Sequence, residues 1–253
     1  MRFGNIPLPG IRESSARAGS LSISLAGFLN GCLRFARAHW PQACVLCGAE
    51  AAGSTLCAPC AADLPWLPRS RCAVCALPIA SGGVCGACST RPPAFDRVEA
   101  PFAYSFPVAG LIHALKYGGR LALARTLGEA LAQAVSGDVD AIVPMPLARG
   151  RLAERGFNQA LEIARVVAAH TGIPLLRDAV RKVVETPPQA ALPWKERARN
   201  VRRAFACDAD LAGMRVAVVD DVLTTGATLG ELARTLKSAG AAGVAGWVVA
   251  RTL

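Results

Sequence analysis

Eight of the ten cysteines fall into four Cys-x-x-Cys pairs, and the second two pairs repeat the first two. Cys44-Val45-Leu46-Cys47 with Cys57-Ala58-Pro59-Cys60 returns 28 residues on as Cys72-Ala73-Val74-Cys75 with Cys85-Gly86-Ala87-Cys88. A two-residue spacer lets both sulfurs of a turn face one tetrahedral ion at ~2.3 Å, and Gly48, Gly53, Gly83 and Gly86 permit the tight turns. This is the zinc-ribbon pattern in duplicate, with two ions expected. A four-thiolate zinc contributes on the order of 10 kcal/mol of folding free energy to a segment too small to fold on its core alone. Such closed sites leave no open position, so the zinc is structural. Four motifs in a loop-rich stretch argue against a thioredoxin-type redox pair and against a disulfide framework. Spacing leaves open whether the ions are held in sequence or by an interleaved brace; the duplication argues for sequence.

The remainder of the 253 residues, 53% of them hydrophobic, is enough for one core of ordinary size. Prolines in Leu64-Pro65-Trp66-Leu67-Pro68 link the two ribbon units, and Thr90-Arg91-Pro92-Pro93 closes the second. From about Phe95 apolar strands alternate with amphipathic helices, the sign of an α/β domain with a parallel sheet. The expected organisation is an extension over 1–40, a double zinc ribbon over 41–92 and an α/β domain over 93–253. The best apolar run, Leu21 to Leu33, is interrupted and shorter than the ~20 residues of a membrane span. It also lies too far in for a signal peptide. Zinc-type thiolates suit a reducing compartment, so a cytoplasmic chain is expected. The formal charge of +10 suits a polyanionic partner, although an arginine-rich composition has the same effect without one. His39, His113 and His170 have no second His at metal spacing, and Cys32 and Cys207 no cysteine at ligand spacing.

Toward the C-terminus, Arg215 to Val219 is a strand-like run, and apolar residues recur at helical spacing from Thr228 to Ala239. Between them lies Asp220-Asp221-Val222-Leu223-Thr224-Thr225-Gly226-Ala227-Thr228. The Thr-rich turn thus sits at a helix N-terminus, where free amides, the positive dipole end and hydroxyls surround a phosphate. Two carboxylates at a strand end accept hydrogen bonds from vicinal sugar hydroxyls. Together they read as a binding loop for ribose 5-phosphate. A plain acidic turn with a Thr helix cap accounts for each piece alone, but not for the contiguous combination. Neither a Walker loop nor a Gly-x-Gly-x-x-Gly fingerprint competes for the phosphate.

Residues 216–228 resemble the phosphoribosyl-pyrophosphate signature of type I phosphoribosyltransferases, and with the cysteine repeat the chain is similar to the ComF competence proteins from about Cys44 to Leu253. Further matching pieces are Leu111 to Tyr117, Val143 to Pro146, Arg155-Gly156-Phe157-Asn158-Gln159-Ala160, and Gln189, Arg197, Asn200 and Phe205. The resemblance implies a parallel-sheet type I phosphoribosyltransferase-like domain behind a small double zinc ribbon. It implies that Asp220 and Asp221 hold the ribose hydroxyls and that Val222, Thr224, Thr225, Gly226, Ala227 and Thr228 form the 5-phosphate loop. Magnesium would accompany phosphoribosyl pyrophosphate, bridging ribose and pyrophosphate. Pro146 and Leu147 stand where such proteins keep a pyrophosphate loop, with Arg149, Arg151 and Arg155 supplying charge. Lys195 and Arg197 fall where related transferases carry a lid and would neutralise the leaving group.

Two functions follow. As a ComF-like factor the chain would bind phosphoribosyl pyrophosphate and assist uptake or processing of single-stranded DNA in natural transformation, alongside the DNA-uptake machinery. Trp40, Trp66, Phe95 and Phe102 flank the ribbons either as stacking groups or as a small core. The alternative is a phosphoribosyltransferase acting on a nucleobase or amine; no residue type in Phe95 to Gln133 names an acceptor.

Overall fold

Each cysteine unit closes on itself. In the computed structural model, which describes residues 41–52, 55–184 and 203–253, β1 (Pro41–Ala43) and β2 (Glu50–Ala52) form an antiparallel pair. The chain then enters the short helix α1 (Ala58–Ala62) from its N-cap, Cys57. In the second unit two isolated bridges, Arg71 to Pro78 and Cys72 to Gly83, precede α2 (Gly86–Thr90), which Cys85 caps. The sulfurs of Cys44, Cys47, Cys57 and Cys60 gather in one cluster and those of Cys72, Cys75, Cys85 and Cys88 in another. The arrangement is sequential.

Next come β3 (Arg97–Glu99), β4 (Phe102–Ala103), α3 (Val108–Gly118), α4 (Ala122–Ala134), β5 (Ala141–Pro144), α5 (Arg149–Arg155) and α6 (Gln159–Thr171). After them stand β6 (Val180–Lys182), β7 (Phe205–Cys207), β8 (Arg215–Leu223), α7 (Ala227–Ser238) and β9 (Gly243–Arg251). The main sheet runs β3-β9-β8-β5, with β4 also on β9, and every pairing is parallel. The β-branched run of β8 occupies an inner position, and Val216 to Val219 are fully enclosed. That is the environment a two-sided apolar strand requires. Helices α3, α4 and α6 cover one face through Leu111, Leu115, Leu127 and Ile163. Helix α7 covers the other through Leu229, Leu232 and Leu236. Gly246 on β9 lets α7 settle there: a Cβ would stand 2.4 Å from Leu229 Cδ2.

Pro41–Leu253 form one compact unit, and the ribbons take part in its cores. Cys44, Leu56 and Leu64 join the α3–α4–α6 core, whereas Ala76 and Val74 join the α7 core. Backbone bonds from Leu67 N to Pro101 O and from Ala103 N to Pro65 O, both 2.8 Å, tie the linker between ribbon units to β4. Phe95 and Phe102 are buried in these cores, while Trp66 remains half-exposed against Phe102 with ring centroids 4.5 Å apart. Of the four aromatics beside the ribbons, two therefore complete a core. Trp40 lies outside the described residues, as do residues 1–40 as a whole.

Candidate functional site

At the carboxyl ends of parallel strands the sheet presents a cavity of about 640 Å³, the usual place for a ligand in an open α/β sheet. Met145, Pro146 and Leu147 follow β5 into one wall, and Gln159 supports them. Asp220, Val222, Leu223, Thr224, Gly226, Ala227 and Thr228 form the wall between β8 and α7, and Tyr104, His113, Lys116 and Tyr117 form a third. Asn158, the N-cap of α6, accepts from Ala160 N at 3.0 Å and donates through Nδ2 to Met145 O at 3.0 Å. One side chain thereby starts the helix and fixes the loop after β5.

The turn before α7 has the form the sequence calls for. Gly226, the N-cap, takes φ +78°, and a Cβ there would stand 3.2 Å from the Phe95 ring. A left-handed backbone packed against an aromatic requires glycine. Thr225 Oγ1 accepts from Ala227 N at 3.3 Å and lines the ribbon side of the loop, not the cavity.

The acid pair is arranged differently from a simple strand-end cluster. Strand β8 continues through Leu223, four residues past the run expected from sequence, so Asp220 and Asp221 lie within it. Neighbouring strand residues project to opposite faces. Asp220 lines the cavity; Asp221, 3% exposed, lies outside its lining and is ion-paired to Lys116 of α3. Asp221 N donates to Asp220 Oδ1 at 2.8 Å. Burial, then the neighbouring Asp221 charge, pushes the Asp220 pKa well above the usual carboxylate value. Burial would lower Lys116, but the Asp221 carboxylate outweighs it and the ammonium is held above its ordinary value. Lys182, also on the cavity wall, is pulled down by burial and by Arg151. A carboxylate at the floor is a group that can accept hydrogen bonds from hydroxyls, and a helix start at the rim is one that suits a phosphate. Oxygen donors of this kind also suit magnesium.

Arg155 stands beside this cavity rather than in it. It lines an adjoining hollow with Lys116 and Tyr117, bonds Gln159 Oε1, and lies 5.3 Å over the Tyr117 ring. Lys195 and Arg197 lie outside the described residues. Three participants had little or no assignment from sequence. Lys116 lay in the matching piece Leu111 to Tyr117 without a role of its own, and no role was read for Tyr104 or Arg251.

The cysteine clusters fit a tetrahedral metal. In each, all four sulfurs lie within 4.8 Å of one another; Cys47 Sγ to Cys57 Sγ is 3.6 Å and Cys75 Sγ to Cys85 Sγ 3.7 Å. Four sulfurs at 2.3 Å from one ion stand about 3.8 Å apart. The nine described cysteines are free of disulfides. The Cys57 amide, with those of Cys47 and Leu46, holds Cys44 down to about 6. Burial raises Cys72, but the amides of Cys85, Cys75 and Val74 outweigh it and bring the thiol to about 6. One thiolate in each cluster is thus favoured near neutral pH, while neighbouring sulfurs push Cys60 up and burial pushes Cys75 and Cys88 up, so those thiols lose their protons to a bound cation.

This fold and these clusters define a type I phosphoribosyltransferase-like α/β domain behind a double ribbon. Residues 35–89 match the family model of the double zinc ribbon domain. The chain is 35% identical over 193 residues to DNA utilization protein YhgH of Salmonella typhimurium, covering 73% of this chain and 85% of that one. It is 33% identical over 178 residues to competence protein F of Haemophilus influenzae, covering 66% and 78%. The chain belongs to this ComF/YhgH family. Over 123 residues it is also 39% identical to adenine phosphoribosyltransferase of Mycobacteroides abscessus, covering 48% of this chain and 62% of that one.

Proposed function

We propose that the chain binds phosphoribosyl pyrophosphate with magnesium in the strand-end cavity and serves the handling of single-stranded DNA in the cytoplasm during natural transformation. One observation carries the ligand: Asp220 at the floor and Thr224, Gly226, Ala227 and Thr228 of the turn at the start of α7 line the same cavity. Asp220, with Asp221 behind it, holds the vicinal ribose hydroxyls. The turn holds the 5-phosphate through its amides and hydroxyls, and the Pro146–Leu147 loop borders the pyrophosphate. Asp220 and the ligand's own oxygens would hold magnesium, which would neutralise pyrophosphate charge. The DNA role is supported by the relatives' names and by the formal charge of +10. Among the described residues no helix is long and apolar enough to cross a membrane.

Phosphoribosyl transfer is the second reading. It is favoured by the continuation of the cavity past the phosphate turn to Tyr104, His113 and Tyr117, where the His113 and Tyr117 rings meet at 4.7 Å. A planar acceptor fits an aromatic wall. A thermal-shift screen with phosphoribosyl pyrophosphate and magnesium tests the ligand: the wild type gains several degrees, and the Asp220→Asn/Asp221→Asn double variant, compared with its own unligated baseline, gains none. No shift in the wild type removes the ligand assignment. Pyrophosphate release that depends on one nucleobase or amine decides for transfer; none with any acceptor decides for binding alone.

A further inference from the structure

We infer that Arg251 is a positioning residue for the phosphate turn and couples that turn to the second cysteine cluster; this rests on the phosphoribose reading above. Arg251 ends β9 and is only 7% exposed. A guanidinium there needs acceptors, since it stays charged. Its acceptors here are backbone carbonyls. Nε donates to Cys75 O at 2.9 Å; Nη1 donates to Leu223 O at 3.2 Å, to Thr224 O at 2.6 Å and to Thr252 O. One end of the fork thus grips a residue of the second cluster, the other the first two peptides of the phosphate turn.

Peptide geometry turns this grip into function. In a planar trans peptide the carbonyl and the following N–H point in opposite directions. Fixing the carbonyls of Leu223 and Thr224 toward Arg251 turns the N–H groups of Thr224 and Thr225 away from it. Arg251 and Thr225 border the ribbon side of the turn, Gly226, Ala227 and Thr228 border the phosphoribose cavity on the other, and Thr224 borders both. The Cys75 carbonyl is in turn set by its knuckle, where Ala76 N donates to Cys72 O at 3.0 Å and Cys72 N to Leu77 O at 2.7 Å. Ala76 is fully buried at φ +58°, a conformation an alanine keeps only when its surroundings impose it. Thiolate ligation by Cys72 and Cys75 is one of those constraints. The first cluster packs with the opposite core, so the chain carries its own control.

Coupling of this kind is reciprocal in binding free energy: if a loaded second cluster favours the binding form of the turn, a bound phosphate raises the affinity of that cluster for its metal, a gain read here as slower metal loss. The experiment uses the full chain loaded with zinc. Release to a chromogenic chelator is followed with and without saturating ribose 5-phosphate, whose binding is measured by calorimetry on the same sample. Timed alkylation of the cysteines identifies which cluster opens. The expected result is that ribose 5-phosphate slows opening of Cys72, Cys75, Cys85 and Cys88 about fivefold or more and leaves Cys44, Cys47, Cys57 and Cys60 unchanged. Arg251→Lys keeps both ions but loses that protection and binds ribose 5-phosphate more weakly, with binding of free pyrophosphate unaltered. Binding that slows neither cluster, slows both alike, or still protects the second cluster in Arg251→Lys overturns the coupling while the ligand assignment stands. Absence of ribose 5-phosphate binding to the wild type overturns both.

Discussion

Replacing Asp220 and Asp221 by asparagine one at a time moves the stability of the unligated protein in opposite directions. Asp221 has a side chain 5% exposed and is paired with Lys116, itself 21% exposed. Removing one partner of a buried pair costs about 3–5 kcal/mol; because the Lys116 ammonium retains some access to water, about 2–3 kcal/mol is expected for Asp221→Asn. At roughly 2–4 °C per kcal/mol for a chain of this size, the melting temperature falls by about 4–12 °C. Asp220 is the reverse case. Its pKa lies well above the ordinary 3.8, so its ionised form weakens the unligated fold at neutral pH. Asp220→Asn removes that cost and raises stability by about 1 kcal/mol, at the expense of the ligand. The sign with pH follows. A raised folded-state pKa stabilises below the unfolded value, and that stability is lost as pH rises through the folded-state value. The advantage of Asp220→Asn is therefore full above the raised folded-state pKa and shrinks as pH falls from there toward the ordinary carboxylate value. Scanning fluorimetry of both variants across that range is the assay. Equal falls in melting temperature for both, or an Asp220→Asn advantage that grows with acid, refutes the division of roles between the two carboxylates.

Gly226→Ala sets a Cβ 3.2 Å from Phe95 at φ +78°; it is expected to cost about 1–3 kcal/mol and to weaken phosphoribose binding, which calorimetry measures. Metal analysis should find two zinc ions per chain from the two clusters, and Cys72→Ser should leave one; a wild type with a single ion contradicts two intact ribbons. Single-stranded DNA binding should weaken linearly in log Kd against log salt, and a ligand-dependent change of that affinity should vanish in the Asp220→Asn/Asp221→Asn variant. Gel-shift or anisotropy titrations over a salt series measure both.

The cysteine repeat was legible because ligand spacing is a local property: each pair lies within one turn, and the duplicated order carried over into two sequential clusters. The strand–turn–helix at 215–238 was legible for the same reason, a β-branched run followed by Gly226 and a helical period. The end of β8 was not. Nothing local distinguishes a strand stopping at Val219 from one that carries two aspartates four residues deeper, because the extension depends on pairing with β9, where Val222 meets Ala250 and Leu223 meets Arg251. That pairing sends the two carboxylates to different surroundings, and Lys116, 105 residues upstream of Asp221, supplies the counter-charge for one of them. Arg251 is the extreme case. Its acceptor at Cys75 is 176 residues away in sequence, and only the folded chain brings that knuckle to the phosphate turn. Arg155 shows the converse: its place in a recognisable run singled it out in the sequence, while its position over the Tyr117 ring, in a hollow beside the cavity, comes only with the fold.

The central claim is that Asp220 and the turn at the start of α7 hold one phosphoribosyl group between them. Calorimetric titration of phosphoribosyl pyrophosphate into the wild type, in the presence and absence of magnesium, tests it most directly. The account predicts one site per chain, tighter with magnesium, matched in part by ribose 5-phosphate and lost in Asp220→Asn although that variant is the more stable protein. Undiminished binding by Asp220→Asn, or no heat with any of these ligands, contradicts it.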